Sequence, residues 1–262
     1  MLCFSGGDMQ YRVRMVVAYD GTDFLGWQTQ PRGKTIARTL EETFSAVFKQ
    51  RISLLGASRT DAGVHALGQV VLGRTDFCID PERMRFAWNS SLPRDIIIRS
   101  LEFVDERFHP FHDVEAKTYY YHFFLRPPLP HVARYGWHFY YMNAVRFDLL
   151  ERCLKLYEGT HDFSSFCTLE TDNPQEAVRT IFSVRLSKIN KWGMGRIAVV
   201  GKSFVRFQIR RMVGAAFDVA RRPGWTEQTI VQMLAKPDPQ QELFRAEASG
   251  LCLRKIVYSA GR

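Results

Sequence analysis

The chain contains 262 residues and carries a formal net charge of +9. Hydrophobic residues make up 46% of it and charged residues 24%, a balance that fits a globular protein with a sizeable core and excludes a disordered chain. The cationic excess favours a polyanionic partner such as a nucleic acid, because each phosphate that Lys or Arg neutralises releases a bound counterion. The alternative is a basic protein that its charge merely keeps in solution.

The cysteine spacing and the hydropathy restrict the class further. Five cysteines are scattered with no CxxC pair, and none of the seven histidines has HExxH spacing, so we expect no metal. Scattered cysteines in odd number are typical of a reducing compartment. No apolar stretch is long enough to span a bilayer, and the first ten residues lack the pattern of a secretory signal. We expect a cytoplasmic protein with no membrane partner, and residues 1–10 as a loosely held extension.

The hydrophobic periodicity of the first half of the chain predicts alternating strands and helices. Residues 11–19 alternate as a strand, and the Asp20-Gly21 turn ends it. Thr35 is placed to cap a helix over residues 36–50, whose apolar side chains share one face. The elements that follow are strands at 51–57 and 69–73, a helix at 80–91 and a strand at 96–104.

The second half repeats this alternation. Its elements are a strand at 116–125, a proline-rich loop at 126–130, a helix at 147–157, a hairpin of strands at 178–190 and 196–204, helices at 205–222 and 226–236, and a strand at 251–258. We therefore expect an α+β fold of two similar domains, 1–112 and 113–262. Each would be a mainly antiparallel sheet backed by helices.

The most informative segment is SRTDAGVH, residues 58–65, which lies between two predicted strands. It places a cation, a hydroxyl, a carboxylate and an imidazole on a loop that a rigid sheet would hold. Gly63 permits a positive φ and a tight return, and Arg59 would help to keep the Asp61 carboxylate ionised. The residues alone leave a second interpretation open, in which Asp61 merely caps an Asx turn at Gly63.

This segment is similar to the signature of the TruA family of tRNA pseudouridine synthases, and the resemblance runs along nearly the whole chain. The segments that carry it are YDGTDFLGWQ (19–28), SRTDAGVHALGQVV (58–71), NSSLPRDI (89–96), KTYYYHF (117–123), GTHDFSSF (159–166), AVRTI (177–181), FVRFQIRRMVG (204–214) and GLCL (250–253). One such tetrapeptide would be weak evidence, whereas the ordered set is specific.

The resemblance implies an isomerase that converts uridine to pseudouridine at positions 38–40 of the tRNA anticodon stem-loop, without a cofactor or a metal. By the same resemblance Asp61 is the catalytic carboxylate, and Arg210 is the arginine that pairs with it. Tyr119 is implied to stack on the target uracil and to take part in removing its C5 proton. Arg59 is implied to help flip the target nucleotide out of its stack and to fill the vacated space.

The resemblance also implies how tRNA is bound: the two domains form a central RNA-binding cleft, in a homodimer whose subunits both contact the RNA. Leu253 and Leu251 are expected to wall the pocket, although core packing explains them equally well. Several basic residues fit an RNA-binding cleft and a solvated surface equally well, namely Arg12, Arg14, Lys34, Arg38, Arg94 and Arg99. Recognition of adjacent positions requires shape and backbone contacts more than base readout.

Four positions depart from the family pattern, and one of them is Ala248, which replaces a common proline before the last strand. The family usually has an arginine near Phe111, a histidine or asparagine at Phe207, and a glutamine at Ala37. Polar groups of these kinds touch RNA phosphates or order a loop. The departures therefore concern the details of substrate contact and leave the chemistry of Asp61, Tyr119 and Arg210 in place.

Other functions stay open on the sequence. A non-catalytic RNA-binding protein on the same scaffold would have lost Asp61 or Tyr119, and both are present. A hydrolase that used Asp61 with His65 would need a metal set or a nucleophile–base pair, and the sequence offers no clear one. A third alternative keeps the chemistry and changes the target to another RNA. Whether the carboxylate attacks C1′, attacks C6 or removes a proton from C2′ also stays open.

Overall fold

The computed structural model describes residues 10–169, 174–189 and 191–259, and within them the chain is an α+β protein. Its helices are α1 (Ile36–Phe48), α2 (Pro81–Ser91), α3 (Phe147–Lys155), α4 (Gln208–Arg221) and α5 (Gln228–Ala235). Its strands are β1 (Tyr11–Tyr19), β2 (Ser53–Gly56), β3 (His65–Thr75), β4 (Ile96–Phe103), β5 (Val114–Phe124), β6 (Gly159–Asp162), β7 (Val178–Ile189), β8 (Met194–Gly201) and β9 (Leu251–Tyr258). The predicted α+β class is confirmed. The predicted extension at residues 1–10 lies, except for its last residue, outside the described residues.

The chain folds as two compact units. The first contains Met1–Glu115 together with Leu253–Arg262, and the second contains Ala116–Cys252. The chain therefore leaves the first unit within β5 and returns to it within β9. The functional division into domains at residues 112 and 113 stays a prediction.

The sheet of the first unit has the strand order β4-β1-β3-β9, and β2 pairs with β3. β1 runs antiparallel to both β3 and β4. Val13, Met15 and Val17 are completely buried, because a strand turns alternate side chains to the same face. Helices α1 and α2 pack together through an edge-to-face contact in which the ring centroids of Phe44 and Trp88 are 4.8 Å apart.

A smaller apolar cluster supports the beginning of the SRTDAGVH segment. Its members are Ala57, Val70, Leu72 and Phe108, packed against Val16, Val104, Ile256 and Tyr258. The Tyr258 hydroxyl donates to the carbonyl of Pro110 at 2.8 Å, which fastens the chain after β4 to β9. Because Ala57 immediately precedes Ser58, this cluster fixes the point at which the loop begins.

The second unit has the strand order β5-β8-β7-β6. The predicted hairpin is confirmed: β7 and β8 are antiparallel, with Ile189 opposite Met194. α4 is buried along most of its length and forms the centre of this unit's core. The Tyr157 hydroxyl, which follows α3, donates to the Met212 carbonyl of α4 at 3.0 Å.

Three local features differ from the sequence-based expectation. Thr35 does precede α1, but its hydroxyl makes no capping hydrogen bond and, among the described residues, has no partner. α4 begins at Gln208 rather than at residue 205, because Phe207 has a φ of 64°, which a helix cannot contain. β6 was not predicted, since four residues are too few to show an alternating pattern.

The buried bond between α3 and α4 predicts a measurable stability difference. Tyr157→Phe should lower the free energy of unfolding by about 1 kcal/mol, because it removes a buried hydrogen bond without changing the ring. Tyr141→Phe is the matched control, since the Tyr141 side chain is exposed. Urea unfolding measures both variants, and equal stabilities of the two would contradict the prediction.

Candidate active site

The SRTDAGVH segment forms a tight loop between β2 and β3. The Val64 amide donates to the Asp61 carbonyl at 3.2 Å, and Gly63 has a φ of 78°. The Gly63 amide, which an Asx turn at Asp61 would use, donates to the Phe24 carbonyl at 3.2 Å. The turn is therefore closed by backbone atoms, and Asp61 itself is half-buried while Arg59 is exposed.

Residues 19–27 hold this loop from the other side. The Trp27 amide donates to the Thr60 carbonyl at 3.1 Å, and the Thr60 hydroxyl hydrogen-bonds the Tyr19 hydroxyl at 2.8 Å. Two glycines make the close approach possible. A Cβ at Gly26 would lie 2.5 Å from the Thr60 carbonyl oxygen, and one at Gly21 would lie 2.0 Å from that of Val64.

A buried amide fastens the beginning of the loop to β3. Gln69 is completely buried, and its side-chain oxygen accepts from the Ser58 amide at 3.1 Å. Its side-chain nitrogen donates to the Ser58 carbonyl in return. This reciprocal pair satisfies two backbone groups that would otherwise be costly to bury. The sequence pattern predicts only a strand at Gln69, although the residue lies within the SRTDAGVHALGQVV segment.

The imidazole of His65 also contacts residues 19–27, the segment that holds the loop. Its Nδ1 accepts from the Gly21 amide at 3.2 Å and lies 3.2 Å from Oδ1 of Asp20. The side chain is buried. These contacts give His65 a part in positioning the loop and lend no support to a hydrolytic pairing with Asp61.

Tyr119 lies in β5 of the second unit, opposite Val199 of β8. Its ring is buried and makes an edge-to-face contact with Phe204 at 5.2 Å between centroids. Tyr121, two residues on, is also buried, as strand alternation predicts. Its hydroxyl donates to the Glu247 carbonyl at 2.9 Å.

Arg210 lies in the first turn of α4 and is only 9% exposed. The Arg210 Nε donates to the Ala246 carbonyl at 2.9 Å, and the Ala246 amide donates to the Arg210 carbonyl at 3.1 Å. Burial raises the pKa of Tyr121 well above its ordinary value, and the nearby Arg210 charge opposes that rise. Tyr121 and Arg210 thus meet at the chain segment that precedes β9. A buried, bonded guanidinium is held far more firmly than the surface arginine that a helical position alone would suggest.

The remaining predicted site residues are leucines of β9. Leu253 is completely buried and Leu251 is nearly so. Burial of this degree is what core packing requires, so their part in a pocket stays a prediction. In the described part of the chain, no three His, Cys, Asp or Glu side chains form a group that could hold a metal ion. No helix described there is long and apolar enough to cross a membrane.

Comparison with known proteins bears on the whole chain. The family model described as tRNA pseudouridine synthase matches residues 15–113 and 153–259. Proteins named tRNA pseudouridine synthase A from Pseudothermotoga lettingae and Brevibacillus brevis are 36% and 35% identical over 249 and 256 residues. Each alignment covers 94% of this chain and 99% of the relative. Arg59, Asp61, Arg210 and Leu253 fall within the matched segments, and Tyr119 falls between them.

An antiparallel α+β scaffold with this signature loop, together with these matches, defines an enzyme of the pseudouridine synthase class, which is a class of isomerases. Within that class, the chain belongs to the TruA family of tRNA pseudouridine synthases.

The support of the loop by Tyr19 predicts an effect on turnover. Thr60→Val keeps the side-chain shape and removes the hydroxyl that bonds Tyr19, so Asp61 should lose its fixed position. We expect pseudouridine formation to fall about 10- to 100-fold. The same change should lower the free energy of unfolding by only about 1–2 kcal/mol. Thr43→Val, which removes a hydroxyl bond to Thr39 within α1, should keep wild-type turnover. Unchanged turnover in Thr60→Val would contradict the role given to this bond.

The lysine of the KTYYYHF segment predicts a pH-dependent stability. Burial lowers the pKa of Lys117 from 10.5 to about 8. The unfolded chain therefore binds more protons than the folded one between these two values, and the cost of burying the charge disappears as the pH rises. Lys117→Met should unfold at higher urea concentration than wild type at pH 7, and its advantage should shrink between pH 8 and pH 10. Lys202→Met, which removes an exposed charge, is the control. An advantage independent of pH would refute the assignment.

Proposed function

We propose that this protein isomerises uridine to pseudouridine at positions 38–40 of the tRNA anticodon stem-loop, with Asp61 as the catalytic carboxylate. The observation that carries the proposal is the fixation of the loop around Asp61. Backbone and side-chain bonds hold the residues on both sides of it, while its own side chain stays half-buried. A carboxylate presented in this way is preorganised for a reaction at a fixed position.

The reaction that this carboxylate serves is an isomerisation. The C1′–N1 bond of uridine breaks, the uracil turns, and a C1′–C5 bond forms. C5 loses its proton and N1 gains one, so atoms and charge balance without a cofactor. Asp61 acts as a nucleophile or as an electrostatic partner while the glycosidic bond is broken.

The other site residues take supporting parts in the proposal. Tyr119 stacks on the target uracil and assists removal of its C5 proton, and its buried ring is already fixed against Phe204. Arg210 pairs with Asp61, and its bond to Ala246 would hold the guanidinium in place for this. Arg59 is exposed, as a side chain that fills the space of an everted nucleotide must be. Leu253 forms part of the pocket wall.

The proposal extends to the surroundings of the reaction. The relatives' names refer to tRNA, and we assign tRNA to this chain as substrate and partner. We further propose that the two halves of the chain form a central RNA-binding cleft, that the protein acts as a homodimer and that it works in the cytoplasm. The net charge of +9 supports the binding of a polyanion of this kind.

The assignment of Asp61 predicts a variant that binds but does not react. Asp61→Asn should abolish release of tritium from 5-tritiated uridine in tRNA, since the amide cannot act as a nucleophile or carry the negative charge. Its tRNA affinity should stay within about threefold of wild type, because the change removes no cation that phosphates could bind. Sequencing of the wild-type product should place pseudouridine at positions 38–40.

The control for this experiment is Asp76→Asn. Asp76 is an exposed carboxylate that follows the other end of β3, so its loss tests the effect of a changed charge alone. This variant should retain wild-type turnover. Turnover near wild type in Asp61→Asn would defeat the catalytic assignment, and a product outside 38–40 would defeat the assignment of the target.

A further inference from the structure

Three guanidinium groups surround one aromatic ring at the start of α4. The ring is that of Phe207, and the guanidinium carbons of Arg206, Arg245 and Arg210 lie 4.8, 4.5 and 5.7 Å from its centroid. All four residues belong to the second unit. We call Arg206, Phe207 and Arg245 the arginine platform, and Arg210 is its buried neighbour.

The backbone at Phe207 determines where this ring lies. Phe207 has a φ of 64°, a conformation that side chains other than glycine rarely adopt, and it immediately precedes α4. The chain therefore turns sharply between Arg206 and Gln208. The sequence, with a basic start and an apolar body over residues 205–222, predicts a continuous helix here and gives no sign of the turn.

The two outer arginines are open to solvent, whereas Arg210 is buried. Within the described residues, Arg245 takes part in no ion pair. A fourth arginine lies close by: Arg211 donates to the Thr168 hydroxyl at 3.1 Å. Burial lowers the pKa of Arg211, and the charge of Arg245 contributes to that lowering.

Gathering like charges around one ring costs free energy that the ring recovers only in part. A cation over an aromatic face gains about 0.5–1 kcal/mol at an exposed site, which orients a guanidinium but does not neutralise it. Both outer arginines are exposed, so an anion in solution can reach their guanidinium groups. The planar donor fork of arginine matches the oxygens of a phosphate in particular.

We propose that Arg206 and Arg245, held in position by the Phe207 ring, bind the phosphodiester backbone of the substrate RNA beside the target uridine. The inference rests on the proposed function, since Arg210, which shares the ring, is the arginine proposed to pair with Asp61. Phe207 is then a positioning residue, and Arg206 and Arg245 are substrate-binding residues.

The decisive experiment measures binding independently of catalysis. The probe is an anticodon stem-loop RNA with cytidine at positions 38–40, which the enzyme cannot convert. Its affinity is measured by fluorescence anisotropy from 50 to 200 mM salt for wild type and for the double variant R206Q/R245Q. We expect about a tenfold loss of affinity at low salt, and a decrease of about 2 in the slope of log affinity against log salt, one for each lost phosphate contact.

Two further variants separate the platform from a general loss of charge or fold. R185Q removes an exposed arginine of β7 in the same unit and should leave affinity and slope at wild-type values. F207N removes the ring and keeps a residue that tolerates a positive φ, so it should fold and lose about threefold in affinity. F207Y retains the ring and should bind the probe with wild-type affinity. Either of two results overturns the proposal. One is a salt slope in R206Q/R245Q equal to that of wild type, and the other is an affinity of F207N equal to that of F207Y.

This result is distinguishable from failure of the proposed function. Wild-type protein that makes no pseudouridine in tRNA, while R206Q/R245Q loses its affinity for the probe, refutes the function and supports the platform. Wild-type protein that makes pseudouridine, while R206Q/R245Q binds the probe as wild type does, supports the function and refutes the platform.

Discussion

The pair of hydrogen bonds that Thr60 makes, through its hydroxyl to Tyr19 and through its carbonyl to Trp27, is the constraint on which the site depends. A loop between two strands exposes backbone groups that need partners, and here residues 19–27 supply them. Gly21 and Gly26 let that segment approach to a distance that any Cβ would prevent. Asp61 is thereby positioned from both sides, because Thr60 is bonded to Tyr19 and Trp27 and the Gly63 amide is bonded to Phe24.

In the second unit, burial positions the arginine that is proposed to pair with Asp61. Arg210 is placed by its bond to Ala246 and by the ring of Phe207, so the helix that carries it cannot rotate without breaking both contacts. The positive φ of Phe207 would suit asparagine better than phenylalanine. The cost of that conformation is of the order of 1 kcal/mol. What the aromatic ring adds in return is a surface on which neighbouring guanidinium groups are ordered.

Sequence patterns predicted the elements whose side chains alternate or repeat over many residues, such as β1, α1 and the β7–β8 hairpin. They also singled out residues 58–65 as an ordered loop between two strands, because Gly63 permits the positive φ that its tight return needs. Local sequence patterns could not predict features that depend on contacts between residues of different elements. The role of Gln69 depends on Ser58, and the missing cap at Thr35 depends on what covers its hydroxyl. The start of α4 was misplaced because one left-handed residue interrupts a stretch whose composition is otherwise helical.

The course of the chain through the two units has a consequence for biosynthesis. The second unit is one continuous stretch, Ala116–Cys252, whereas the sheet of the first needs residues of β9 beside β3. On the ribosome, the N-terminal segment therefore emerges with a free sheet edge and must wait until nearly all of the remaining polypeptide has been translated. N-terminal domains usually finish folding first during synthesis, but here the sheet of the first unit is completed last. A chain stalled before β9 would leave β3 open to pairing with other nascent chains.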